Sequence, residues 1–273
     1  MSCRYFVKPL DKPVYMPSGR LIIDAVPGIG AIRPGDDLIN ILGDALGAME
    51  DPLADGDVVV IAQKVVSKAE DRFFHLENVT PSARAEELAL ACDKDPRLVE
   101  LILSEASSVV RCLPGVLIVN HRLGHTMANA GIDRSNVAGD EDIVLLLPED
   151  PDGWCTDARE KWKARFGADL GVVMSDSFGR PWRLGTTGVC IGASGVPALL
   201  DVRGRSDLEG RALEVTTIGL GDELAAAASI LMGQADEGVP VCVIRGVNKR
   251  EDGAARDLIR PPEADLFSGG REN

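Results

Sequence analysis

The sequence predicts an α+β fold, a mixed α/β chain in which strands and helices alternate without a regular order. Two observations carry that expectation. Short apolar runs of strand length recur at 57–62, 172–174 and 239–244, and the stretches between them differ widely in length and helical content. A doubly wound parallel sheet would space strand and helix evenly. The chain of 273 residues is also long enough for one large domain or two smaller ones, and its 4% aromatic share leaves the core to Val, Leu, Ile and Ala.

Taken in order, residues 20–27 read as a strand ending in the turn Pro27-Gly28-Ile29-Gly30. Glycines there would open backbone N–H groups to a ligand, and Pro27 would stiffen the approach. No GK[ST] follows and a third glycine is missing, so the turn is not a Walker loop and is a weak dinucleotide signal. Asp36 or Asp37 can cap an amphipathic helix over 38–49, with Leu38, Ile41, Leu42 and Leu46 on one face. The strand at 57–62 runs into Gln63, Lys64 and Lys68. Two lysines four residues apart behind a buried strand can reach phosphates as point charges, although such lysines are more often simply solvated.

Helices are expected over 83–91, capped by Ser82, and over 96–106. Residues 109–120 return to strand, broken at Pro114-Gly115. His121 and His125 offer nitrogen donors, but no third nitrogen or sulfur ligand stands at a zinc spacing, so they read as turn or supporting residues. Asn129, Asp133 and Asn136 form a polar cluster that needs partners if buried. The acidic segment 149–160 reads as a solvated connection into a helix over 157–166. Residues 199–211 carry mixed charge, and 213–220 are strand-like. Asp222-Glu223 can cap a helix over 224–232 that stops at Gly233-Gln234. A last strand at 239–244 precedes a polar tail, expected to be mobile in part.

A net charge of −14 disfavours nucleic acid and anionic membrane as partners, while leaving room for a local basic pocket. No run approaches the length of a membrane span and residues 1–20 lack a signal-peptide core, so a cytoplasmic location is expected. The six cysteines show no CxxC pair; Cys112, Cys190 and Cys242 sit in apolar stretches as small hydrophobes.

The stretch with most chemistry is 171–195, GVVMSDSFGRPWRLGTTGVCIGASG. Its apolar run ends on Ser175-Asp176-Ser177, and Arg180 and Arg183 follow in what reads as one glycine-rich loop. Oxygen ligands for a hard cation beside two guanidinium groups suit phosphate chemistry. A plain turn with a surface ion pair gives the same composition.

Together, DGDVVVIAQKVVSKAEDR (55–72), MANAGIDRSNV (127–137), the 171–196 stretch and GDELAAAASILMGQADEGVPVCVIRGVN (221–248) resemble the glutamate ligases of the deazaflavin coenzyme F-420, in the family's order. The resemblance implies a GTP-dependent ligase that joins L-glutamate to a carboxyl group of a coenzyme precursor and releases GDP and phosphate. It implies two α+β lobes with the nucleotide site between them, near the interface of a homodimer. It implies divalent metal, Mg²⁺ or Mn²⁺ and two ions by expectation, with K⁺ a further candidate.

Carried over by position, Asp133, Asp176, Ser177 and Gln234 fall at metal-ligand positions. Pro27, Gly28, Ile29, Gly30, Gln63, Lys64, Lys68 and Asn136 fall at nucleotide-contacting positions. Arg180 and Arg183 are the candidates for offsetting charge during the reaction. The ligase domain is expected over 21–248, between an N-terminal extension at 1–20 and a C-terminal tail at 249–273. The competing readings are the same ligation on another acid or amine, or a catalytically silent nucleotide-binding protein.

Overall fold

The computed structural model of the chain describes residues 19–133, 142–247 and 251–265. In chain order the elements are β1 (Ile22–Ala25), α1 (Leu38–Gly47), β2 (Val58–Ala62), α2 (Gln63–Ala69), β3 (Phe73–His75), α3 (Ala83–Cys92), α4 (Pro96–Ser104), β4 (Ala106–Leu113), β5 (Val116–His121) and β6 (Thr126–Ala128). They continue with β7 (Ile143–Leu145), α5 (Pro151–Phe166), β8 (Gly171–Arg180), β9 (Arg183–Ser194), β10 (Leu200–Asp201), β11 (Thr217–Ile218), α6 (Leu220–Met232) and β12 (Val241–Arg245).

A five-stranded sheet of order β1-β12-β2-β8-β9 carries the first lobe. Only β2 and β8 run parallel; the other neighbours are antiparallel. Side chains alternate across it. Val59, Ile61, Val172, Met174, Val241 and Val243 meet α1 and α5 on one face. Val58, Val60, Val173, Cys242 and Ile244 meet α6 on the other. Helices therefore cover both faces, which is why these strands read as unbroken apolar runs rather than alternating ones. Burying one such Val or Ile contributes about 1.5–3 kcal/mol. Gly188 in β9 lets α6 approach: a Cβ there would stand 2.3 Å from the Ala225 carbonyl oxygen.

The second lobe is the antiparallel meander β4-β5-β6 backed by α3 and α4, around a separate core that includes Leu88, Val99, Ile102, Leu117 and Val119. Charge joins the lobes. Glu105, at the end of α4, accepts from Arg72 Nη2 and Arg122 Nε at 3.0 Å each, and His121 Nε2 faces it at 3.3 Å. Burial alone would raise the Glu105 carboxyl, but the His121 contact and the two guanidinium charges outweigh it and hold it at about 2. His125 stacks edge-on against Phe178 of β8 at 5.7 Å.

Several local expectations change. Ile39, not Ile41, joins the buried face of α1, because the helix starts sharply at its Asp37 cap and turns 38, 39, 42 and 46 inward. The acidic segment before 157 is helix from Pro151 onward, not a connection. Asp150 caps it by accepting from Gly153 N at 3.0 Å, Pro151 takes the first turn, and Pro151, Cys155, Ala158 and Trp162 form its buried face. Polar residues fill the rest of that helix, so it shows little net hydrophobicity. Helix α6 starts at Leu220, placing Asp222 and Glu223 in its first turn rather than before it. Only Thr217–Ile218 of the segment 213–220 is strand.

Ser175-Asp176-Ser177 lies inside β8, which pairs with β9 as far as Arg180↔Arg183; there is no glycine-rich loop. Residues 251–265 do not trail away. Ala255 is buried in the core under α6, and Asp152 Oδ1 accepts from the N–H groups of Ala193 and Ala255 at 2.9 and 2.8 Å.

Candidate functional site

The continuous pairing of β2 with β8 places the site. Their parallel register sets Ala62 beside Ser175, so the next residues, Gln63 and Asp176, come level where β2 gives way to α2. The loop after β1 and the segment from the end of α6 to β12 close the other sides. The resulting cavity has a volume of ≈ 650 Å³. Polar groups on its wall include Gln63, Lys64, Lys68, Asp133, Asp176 and Gln234.

Asp133 arrives from the second lobe. Its backbone N–H and carbonyl exchange 2.9 Å hydrogen bonds with Leu145 of β7. The approach is a left-handed turn, with φ of 52°, 53° and 67° at Asn129, Ala130 and Gly131. Gly131 suits its positive φ, and a Cβ there would also crowd the side chains of Met127 and Leu147. The turn delivers the Asp133 carboxylate to Lys64, and the two form an ion pair.

Asp176 is the most perturbed group of the site. The residue is half-buried at the cavity wall, and burial pushes its carboxyl up to about 6. The Ser177 backbone N–H, the Gln63 amide and the Lys64 charge oppose that rise, while Asp133 adds to it. Lys68 is shifted down, first by burial and then by the neighbouring Lys64 charge, against the pull of Asp133. Two carboxylates and two ammonium groups thus share one cleft between the lobes. Such a balanced arrangement can take up a cation and a polyanion together, because each neutralises charge the other leaves behind.

The oxygen donors fit a hard divalent ion. Among the described residues no three His, Cys, Asp or Glu side chains gather, so a cation would rest on Asp133 and Asp176 with neutral oxygens from Ser177 and Gln234. One or two carboxylates, completed by water and substrate phosphate, is the usual habit of Mg²⁺. Gln234 is brought in from the loop after α6, where Thr186 Oγ1 stands 3.5 Å from its Oε1.

The predicted residues do not all meet. Ile29 and Gly30 line the cavity, whereas Pro27 and Gly28 do not. Arg180 and Arg183 stand exposed at the tip of the β8–β9 hairpin, away from the cavity wall. Asn136 lies outside the described residues. Sequence reasoning missed Ser67, which is fully buried and donates to Gln63 Oε1 at 2.7 Å; a serine four residues after a glutamine in a helix was the available signal. It also missed Thr186 and the Glu237 carboxylate, which accepts from Ala235 N at 2.9 Å and shapes the rim.

Comparison with known proteins gives these residues a context. The family described as F420-0:Gamma-glutamyl ligase matches residues 28–246. The coenzyme F420:L-glutamate ligase of Methanopyrus kandleri is 46% identical over 252 residues, 90% of this chain and 97% of that protein. The protein of the same name from Methanothermobacter thermautotrophicus is 43% identical over 250 residues, 90% and 97% of the two chains. That from Archaeoglobus fulgidus is 39% identical over 248 residues, covering 91% and 96%. With a match across both lobes and the whole cavity, the chain belongs to the F420-0:gamma-glutamyl ligase family.

Proposed function

We propose that the chain is a GTP-dependent ligase that joins L-glutamate to a carboxyl group of a coenzyme F-420 precursor through an acyl phosphate. The observation that carries this reading is the meeting of Lys64 and Lys68 with Asp133 and Asp176 in one cleft. A carboxylate does not acylate an amine at neutral pH. Transfer of the γ-phosphoryl group turns it into a competent acyl donor, and glutamate nitrogen then displaces phosphate. Phosphoryl transfer asks the protein for positioning and charge neutralisation rather than a covalent nucleophile.

Asp133, Asp176, Ser177 and Gln234 would hold Mg²⁺ or Mn²⁺, with K⁺ as an accessory ion. A bound divalent ion supplies charge neutralisation on the phosphate oxygens. Lys64 and Lys68 hold the phosphates, and the loop containing Ile29 and Gly30 supports the nucleotide from the opposite wall. Arg180 and Arg183, outside the cavity, serve the anionic acceptor rather than the transferring group. The exposed hairpin tip, where Trp182 and Leu184 are 85% and 98% accessible, is the face we assign to a homodimer contact. Among the described residues no helix is long and apolar enough to cross a membrane.

The test is product analysis with GTP, Mn²⁺ or Mg²⁺, glutamate and candidate acids. GDP and phosphate should appear in step with an amide. GMP and pyrophosphate would instead indicate a nucleotidyl intermediate and sink the scheme. GTP binding with neither hydrolysis nor amide would leave only a catalytically silent nucleotide-binding protein.

A further inference from the structure

The geometry points to Ser67 as a positioning residue that acts through Gln63 to fix the Asp176 carboxylate in its cation-holding orientation. This rests on the proposed cation site and adds to it a residue that does not itself reach the cavity.

Three observations support the relay. Ser67 and Gln63 sit four apart on α2, on the same face, and both are buried, at 0% and 3% exposure. Ser67 Oγ donates to Gln63 Oε1 at 2.7 Å. The β2–β8 register then places Gln63 level with Asp176, and both line the cavity.

The chemistry leaves one consistent arrangement. A glutamine amide has an accepting end and a donating end. With Ser67 held on the oxygen, the NH₂ must face the other way, toward the Asp176 carboxylate. The reverse orientation would set the amide oxygen against a carboxylate, and nothing would repay that repulsion. A carboxylate held by a donor loses rotational freedom, so the oxygen turned to the cavity stays presented. Outer partners of this kind typically change metal affinity by about 10–100-fold when removed. Alanine at 67 keeps the helix, as alanine is the best helix former, and removes one oxygen only.

Mn²⁺ binding in the presence of GDP is measured by electron paramagnetic resonance for wild type, Ser67→Ala, Gln63→Met and the double variant. Ser67→Ala should weaken Mn²⁺ about tenfold while circular dichroism and melting cooperativity are retained. The double variant should bind no more weakly than Gln63→Met alone, since Ser67 works only through Gln63. Side-chain amide NMR gives a readout without metal: the Gln63 NH₂ pair should shift in Ser67→Ala and again in Asp176→Asn. Mn²⁺ affinity within twofold of wild type in Ser67→Ala, or additive losses in the double variant, would overturn the relay. If wild type itself takes up no Mn²⁺, the cation site falls on its own account. The amide signals then decide the relay, which fails if they are indifferent to both substitutions.

Discussion

Replacing Lys64 by methionine should move two affinities in opposite directions. Without nucleotide, Lys64 acts as the resident cation of the cleft, paired with Asp133 and lowering the cost of ionising Asp176. A metal ion must displace it. The two side chains are 32% and 25% exposed, so solvent screens the pair and its net worth is about 1 kcal/mol. Removing the ammonium should therefore tighten Mn²⁺ binding to the nucleotide-free protein about fivefold. GDP should respond the other way, because a charged donor to phosphate is lost; about 1.5 kcal/mol, or roughly tenfold, is expected at saturating Mn²⁺. Titration calorimetry of Mn²⁺ alone, then of GDP with Mn²⁺ in excess, reads both numbers. Weaker Mn²⁺ binding in Lys64→Met would show that the lysine supports the cation site rather than occupying it, and the argument from the ion pair would be wrong.

Other expectations are equally direct. Asp176→Asn should abolish turnover yet raise the metal-free melting temperature: the folded state holds this acid at about 6 instead of 3.8, a penalty on its charge of about 3 kcal/mol at neutral pH that an amide escapes, so a lowered melting temperature would count against it. Acid should destabilise the lobe junction in two stages. Burial, with the His121 charge, lowers His125 from 6.5 to about 4, so the unfolded chain takes up the proton first and stability falls between those values. Glu105, held at about 2 against an ordinary 4.5, adds a second loss from about pH 4.5 downward; urea midpoints that stay flat between pH 7 and 4 would refute the first stage, and midpoints flat between pH 4.5 and 2 the second. Gly188→Ala should cost about 1–3 kcal/mol in urea unfolding, since the added carbon meets backbone of α6 rather than a movable side chain, and an unchanged midpoint would contradict that packing.

What could be read in the sequence was local. The apolar runs of β2 and β12 and the Ser82 cap follow from hydrophobicity and turn chemistry alone. Helix α5 was legible from residue 157 onward, but its start at Pro151 stayed hidden because Pro151 and Cys155 are the buried contacts of an otherwise acidic and polar stretch. The polar half of β8 looked like loop because its partner is another polar strand projecting from the sheet. The site divides the same way. Asp176 stands out at the end of an apolar run, but its meeting with Asp133, 43 residues earlier, depends on the left-handed turn at Asn129–Gly131 and the bridge to Leu145. No periodicity encodes that approach; only the family resemblance anticipated it. Arg180 and Arg183, read from composition as one loop beside Asp176, stand outside the cavity because the hairpin carries them outward.

The position of β12 has a consequence for how the chain is made. This strand fills the gap between β1 and β2, which otherwise have no contact as neighbours in the sheet. Until residue 245 has left the ribosome, β1 lacks its sheet partner and β2 offers a bare apolar edge, while the loop after β1 and the start of α2 have no fixed distance between them. Closure of such distant pairings is slow, and open strand edges are where nascent chains associate wrongly. The cleft is therefore among the last features to form in a newly made molecule. Fragments that stop short of β12 would be expected to aggregate rather than retain partial ligand binding.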